Sequence, residues 1–93
     1  MQNHIQVYRE FYGIGDQDST PPCSICGLNN GVQIHHIYSR GLKTFKYEGK
    51  QHDINDILNL IALCRDHHSD AHGGGLSKEF LLKTNEIRIL NHG

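Results

Sequence analysis

Two short pairs of side chains, Cys23-Ser24-Ile25-Cys26 and Cys64-Arg65-Asp66-His67, constrain this chain more than anything else in it. Within each pair the donors stand three positions apart, so one tight turn can aim both at a single point. Four such donors at about 2.0–2.3 Å make a tetrahedral zinc site. Any fold that uses them must bring residues 23–26 against residues 64–67. Two other readings compete. Unrelated core cysteines fit poorly, because a CxxC after Pro21-Pro22 matched by a CxxH is a specific combination. A thioredoxin-like redox pair fits worse, since no βαβ pattern surrounds it.

Size makes such a metal matter. A chain of 93 residues buries only roughly 60–65% of its unfolded surface. With 37% hydrophobic residues and no Trp, a structural metal is expected to contribute heavily to folding. The cysteine count of three is odd, and Met1-Gln2-Asn3-His4 leads into a polar, amphipathic stretch. The expectation is therefore no secretory leader, no disulfide framework, and reduced thiolates in a cytoplasmic setting, bacterial or phage-infected. No run approaches the ~18 apolar residues of a membrane span.

The net charge of −1 is low for a nucleic-acid binder. The local balance differs: Arg40, Lys43, Lys46 and Lys50 oppose only Glu48 between residues 40 and 50, while Asp16 and Asp18 lie elsewhere. Bound divalent cations would add positive charge where it counts.

Ile5, Tyr8, Phe11 and Tyr12 recur at helical spacing over 3–12, and Gly13 and Gly15 end that helix. Residues 16–22 read as a polar linker. Gly31 leads into a β-branched strand over 32–37, residues 39–53 read as a long exposed loop, and 57–63 as a second strand pairing with the first. A helix over about 65–72 stops at Gly73-Gly74-Gly75, a C-cap and hinge. Ser77 then caps a final helix reaching toward Leu90, with a strand at 86–90 as the competing reading. The division is 1–22, helix and linker; 23–76, the core with its knuckles; and 77–93, a helical extension, all in one domain. Tyr8, Phe11, Tyr12, Phe80 and Leu81 are expected to pack the terminal helices, and His4, His52 and His92 to lie on the surface.

A second metal group emerges from helical geometry. His68 and His72 are four apart and share a helix face, whereas His67 and His72 do not. This leaves His67 for the zinc knuckle. One more ligand would leave open positions for substrate and water. His35 or His36 can supply it, but adjacent strand residues point to opposite sides, so both should not serve one ion.

This pattern over about residues 23–72 resembles the HNH endonuclease superfamily, whose ββα-metal (His-Me finger) core is a two-stranded hairpin followed by a helix. The resemblance includes the zinc knuckles of one large branch. It implies an α+β fold with a structural zinc site and flanking helices. It also implies that His35 ligates the catalytic metal with His68 and His72, that His36 is the general base, and that Asn59 supports the base and the loop between the strands. Colicin-type nucleases share this HH…N…HxxxH order, including the Asn nine residues before the penultimate His. Many zinc-knuckle members have Cys-x2-Cys-His where this chain has Cys64-Arg65-Asp66-His67-His68; a Cys-to-His exchange keeps a competent zinc ligand.

The activity implied is metal-dependent hydrolysis of DNA phosphodiester bonds. His36 would take a proton from water, its other nitrogen bonded to a carbonyl at or near Asn59. The products would carry a 5′-phosphate and a 3′-hydroxyl. Three neutral imidazoles suit Zn2+, Ni2+, Mn2+ or Mg2+, completed by phosphate and water. Arg40, Lys43, Lys46, Lys50 and Arg65 are the candidate DNA contacts. One such site per monomer would nick. A non-catalytic zinc-ribbon DNA-binding or adaptor module is the alternative, and an RNA-cleaving toxin-like domain is a third. Membership of a larger phage or mobile-element nuclease complex is an analogy only.

Overall fold

A computed structural model describes residues 3–14, 21–29 and 31–92. The linker expected over 16–22 lies outside the described residues up to residue 20. Helix α1 (His4–Tyr12) starts because Asn3 and Gln6 satisfy each other's backbone N–H groups in a capping box. It stops at Gly13, whose φ of 71° is left-handed. Strand β1 (Gln33–His36) is followed by β2 (Thr44–Tyr47) and β3 (Lys50–Asp53). A 3-10 turn (Ile57–Asn59) then leads into β4 (Leu60–Leu63), α2 (Arg65–Gly73) and α3 (Lys78–His92).

The centre of the fold is β4, every residue of which is buried. It pairs antiparallel with β1 in the register Gln33↔Leu63, Ile34↔Ala62, His35↔Ile61 and His36↔Leu60. Side chains alternate across a strand. Leu60 and Ala62 accordingly pack with Tyr8, Val7 and Ile34 beneath α1. Ile61 and Leu63 pack on the other face with Leu81 and Leu82 of α3. A two-stranded sheet covered on both faces explains the continuous apolar run Leu60–Leu63.

Four expectations need correction. Residues 39–53 are not a plain loop, because β2 and β3 form a hairpin closed at Glu48-Gly49, where φ is 51° and 80°. Positive φ at both central residues is the geometry of a type I′ turn. Phe45 anchors this hairpin, stacked on Tyr38 at 5.3 Å and on His52 at 5.2 Å. His52 is therefore half-buried rather than a plain surface residue. The second strand is also shorter than expected, since the Asp56 carboxylate accepts from Leu58 N–H at 2.9 Å and winds the chain into the 3-10 turn. Residues 86–90 continue α3, as the main reading has it and not the competing strand, but Phe80, expected to pack, stands on that helix's exposed face.

Two buried asparagines hold the layers in place. Asn85 of α3 donates to the carbonyls of Leu58 and Leu60 at 2.8 and 2.6 Å, fastening the helix to the start of β4. Asn59 is 0% exposed. Its Oδ1 accepts from Tyr38 N–H at 2.7 Å, and its Nδ2 donates to Ile54 O at 2.8 Å and Tyr38 O at 3.2 Å. It thereby ties the chain leaving β1 to the chain leaving β3. Replacing Asn59 with Ala strands these backbone groups without water, at a cost of about 2–4 kcal/mol. Urea unfolding should show that loss; a change below about 0.5 kcal/mol would mean the clasp is dispensable.

Candidate active site and metal centres

The first cluster forms where the loop before β1 meets the start of α2. Ser24 N–H donates to Ala62 O at 2.8 Å, seating the Cys23–Cys26 turn on β4. Cys64 caps α2, and His67 lies in that helix's first turn. The Cys26 and Cys64 sulfurs are 3.7 Å apart. His67 Nδ1 stands 3.2 Å from the Cys64 sulfur and 3.6 Å from that of Cys23. An edge of a tetrahedron with Zn–S bonds of about 2.3 Å measures about 3.8 Å, so these separations suit a zinc ion. Burial pushes the Cys23 thiol up, but backbone N–H groups of Cys26, Cys64 and Ile25 more than offset it and bring the thiol down to about 6. A thiol so lowered is largely thiolate at neutral pH, the form that binds metal.

The second cluster joins β1 to α2. The Nε2 atoms of His68 and His72 are 3.2 Å apart, and the His35 ring centroid lies 5.0 and 5.3 Å from theirs. One ring nitrogen from each falls within 4.8 Å of the others. Burial, then the neighbouring His68 and His72, hold His35 down at about 4. Burial followed by His72 also lowers His68. Three ring nitrogens gathered this closely form a competent donor set for one divalent cation.

His36 takes the other direction. Paired with Leu60, it turns toward α1, where its ring lies 4.5 Å from that of His4. Its Nε2 is 2.8 Å from Asn55 Oδ1. With a carbonyl oxygen as acceptor, Nε2 carries the proton and Nδ1 keeps its lone pair. The carbonyl expected at or near Asn59 thus comes from Asn55, because every polar atom of the Asn59 side chain is engaged by backbone. Asn55 is in turn positioned by its own N–H, which donates to Asp53 Oδ1 at 2.8 Å.

A cleft of about 740 Å³ wraps the free edge of β1 and is bordered by both groups of histidines. Among its described lining residues none is acidic, while Arg40 and Lys78 add positive charge. A model of the HNH endonuclease family matches residues 23–70, slightly more than half of the chain. The chain belongs to the HNH endonuclease family. Family membership carries a nuclease-type function in general terms, with DNA as the implied substrate class. No curated protein and no solved structure matched the chain. The family match spans both knuckles, β1, β4 and His68 but ends before His72, which enters the site through helical spacing.

Within this HNH site the basic candidates separate. Arg40 borders the cleft, and Lys43 borders an adjoining concavity together with Arg40 and Asn55. Lys46 and Lys50 are exposed on the hairpin and line neither. Arg65 is not brought to the cleft. It lies along Gly31, which has no Cβ to displace it, with side-chain atoms 3.4–3.8 Å from where one would stand. His4, expected on the surface, instead sits in the cleft against His36. Asn55, His4 and Lys78 carry no local spacing signal, and only the tertiary fold brings them to the histidines. His92 is exposed as the sequence suggested, with Nε2 donating to Phe11 O at 3.0 Å.

The two clusters should respond differently to mutation. Structural zinc contributes about 10–16 kcal/mol in small zinc domains, as much as a whole domain's stability. Cys23→Ser should therefore abolish the cooperative thermal transition, whereas His72→Ala should melt cooperatively with about one zinc per chain by elemental analysis. A Cys23→Ser protein that melts like the parent would remove the structural role. Acid tests the second cluster. His35 is held below its unfolded value of about 6.5, so the unfolded chain takes up a proton first, and stability is lost as pH falls from about 6.5 toward about 4. After the second site is stripped of metal, the His35 ring resonance should titrate near pH 4; a midpoint near 6.5 would mean an open, solvated ring.

Proposed function

We propose that this protein is a metal-dependent DNA endonuclease that hydrolyses phosphodiester bonds by activating water at His36, nicking one strand and leaving a 5′-phosphate and a 3′-hydroxyl. One observation carries this reading. Adjacent residues of a single strand diverge, so His35 joins His68 and His72 while His36 stays outside that trio on Asn55.

A divalent cation held by His35, His68 and His72, whether Mg2+, Mn2+, Ni2+ or Zn2+, would neutralise charge at the phosphoryl group. The remaining work falls to the chain. Asn55 holds the Nε2 proton of His36 and so aims the Nδ1 lone pair. That lone pair accepts the proton of the attacking water. Asn59 keeps the loop carrying this arrangement closed against β1. Arg40 and Lys78 attract the phosphate backbone into a cleft whose described lining has no carboxylate to repel it. A single base beside a single cation site acts on one strand at a time, which is the reason for expecting nicks.

General-base catalysis by a positioned side chain is worth about 10²–10⁴-fold. His36→Ala should therefore lower the rate of converting supercoiled plasmid to open circle by at least about a hundredfold. The variant should keep its zinc and its melting temperature. Asn55→Ala should lose less, since the ring keeps an accepting nitrogen but not its aim. Equal cleavage by His36→Ala and the parent would show that another group is the base. A parent that binds DNA but cleaves it with none of the four cations would favour the adaptor reading.

A further inference from the structure

Two positive side chains among the described residues of the cleft, Lys78 and Arg40, flank β1. Lys78 opens α3 and reaches over the Tyr38 ring, its Nζ 5.9 Å from the centroid. Leu81 and Leu82 of the same helix pack with Ile61 and Leu63, on the side of the strand pair that carries His35, so Lys78 borders the cleft from the trio's side. Arg40 lies on the α1 side, where it borders a concavity with Val7 of α1 and with Asn55, the partner of His36. Both residues border the same cleft. The two faces of β1 thus set Lys78 with the trio on one side and His36 with Arg40 on the other.

The proposed reaction gives this arrangement a direction. The water oxygen forms its bond to phosphorus while the P–O3′ bond breaks. The water's proton passes to His36, and the departing O3′ takes one from solvent. An in-line displacement puts the attacking and departing oxygens on opposite sides of phosphorus. Water arrives from the His36 side, so O3′ departs toward the trio. That oxygen belongs to the nucleotide on the 5′ side of the broken bond, and this nucleotide's own 5′-phosphate extends farther the same way, toward Lys78.

We propose that Lys78 holds the phosphate immediately 5′ of the scissile bond while Arg40 holds the one immediately 3′, so that a DNA strand enters the cleft in one direction only. This inference rests on the nuclease reading and on His36 as its base. Lys78 is a positioning residue, because it binds the substrate's flank and not its reacting atoms.

Deoxydinucleotides test the direction, since each holds a single cleavable bond. Cleavage is compared for NpN, for pNpN with an added 5′-phosphate, and for NpNp with an added 3′-phosphate. A charge-assisted contact of this kind changes kcat/KM by about tenfold or more. The parent should favour pNpN and NpNp over NpN by that margin. In Lys78→Gln the pNpN/NpN ratio should fall to about one while the NpNp/NpN ratio persists, and Lys78→Arg should restore the first. Arg40→Gln should give the converse pattern. Comparing ratios within one variant cancels any general loss of folding or activity, which a merely structural lysine would produce equally on all three substrates. Swapped ratios, or ratios that neither variant alters, would overturn the assignment. A parent that cleaves plasmid DNA but shows no preference among the dinucleotides removes the direction alone. A parent that cleaves neither plasmid nor dinucleotides removes the nuclease reading beneath it.

Discussion

Successive side chains of a β-strand point to opposite sides, and β1 applies that rule to two adjacent histidines. Pairing with β4 locks the register, because a slip by one residue would exchange every inward and outward position of a strand buried on both faces. The separation of His35 from His36 is thus enforced by the packing of Leu60–Leu63 and not by the histidines themselves. Hydrophobic burial at the centre of the fold decides which imidazole can reach the other two.

Around that strand pair the domain is held at a few polar points. A metal held by the Cys/His cluster would tie the segment before β1 to the start of α2, and with it the helix that carries His68 and His72. Asn59 closes the chain leaving β1, and Asn85 fastens α3, which brings Lys78 to the cleft. A core this small could not place so many polar side chains by apolar packing alone. Asn59 and Asn85 are fully buried, where a hydrogen bond is hardest to lose to water.

What the sequence revealed follows from how local each signal is. The knuckles and the His68/His72 pair were legible because their spacing translates directly into a turn and a helix face. The divergence of His35 and His36 was legible because strand alternation is equally local. Asn55, His4 and Lys78 were not, since they reach the site from a loop and two helices whose positions depend on the whole fold. Nearness in sequence does not carry Arg65 to the cleft, because its side chain lies along Gly31. The hairpin is hard to see in the sequence because its lysines and glycine suggest a loop. Thr44-Phe45-Lys46-Tyr47 nevertheless alternates as a strand should, and Phe45 is buried.

The most direct test is a crystal of the cobalt-loaded protein measured at the cobalt absorption edge. An anomalous peak is expected at about 2.0–2.2 Å from one nitrogen each of His35, His68 and His72. The His36 ring should remain on Asn55, outside bonding distance. A peak with His36 among its ligands, or no peak among the other three, would contradict it.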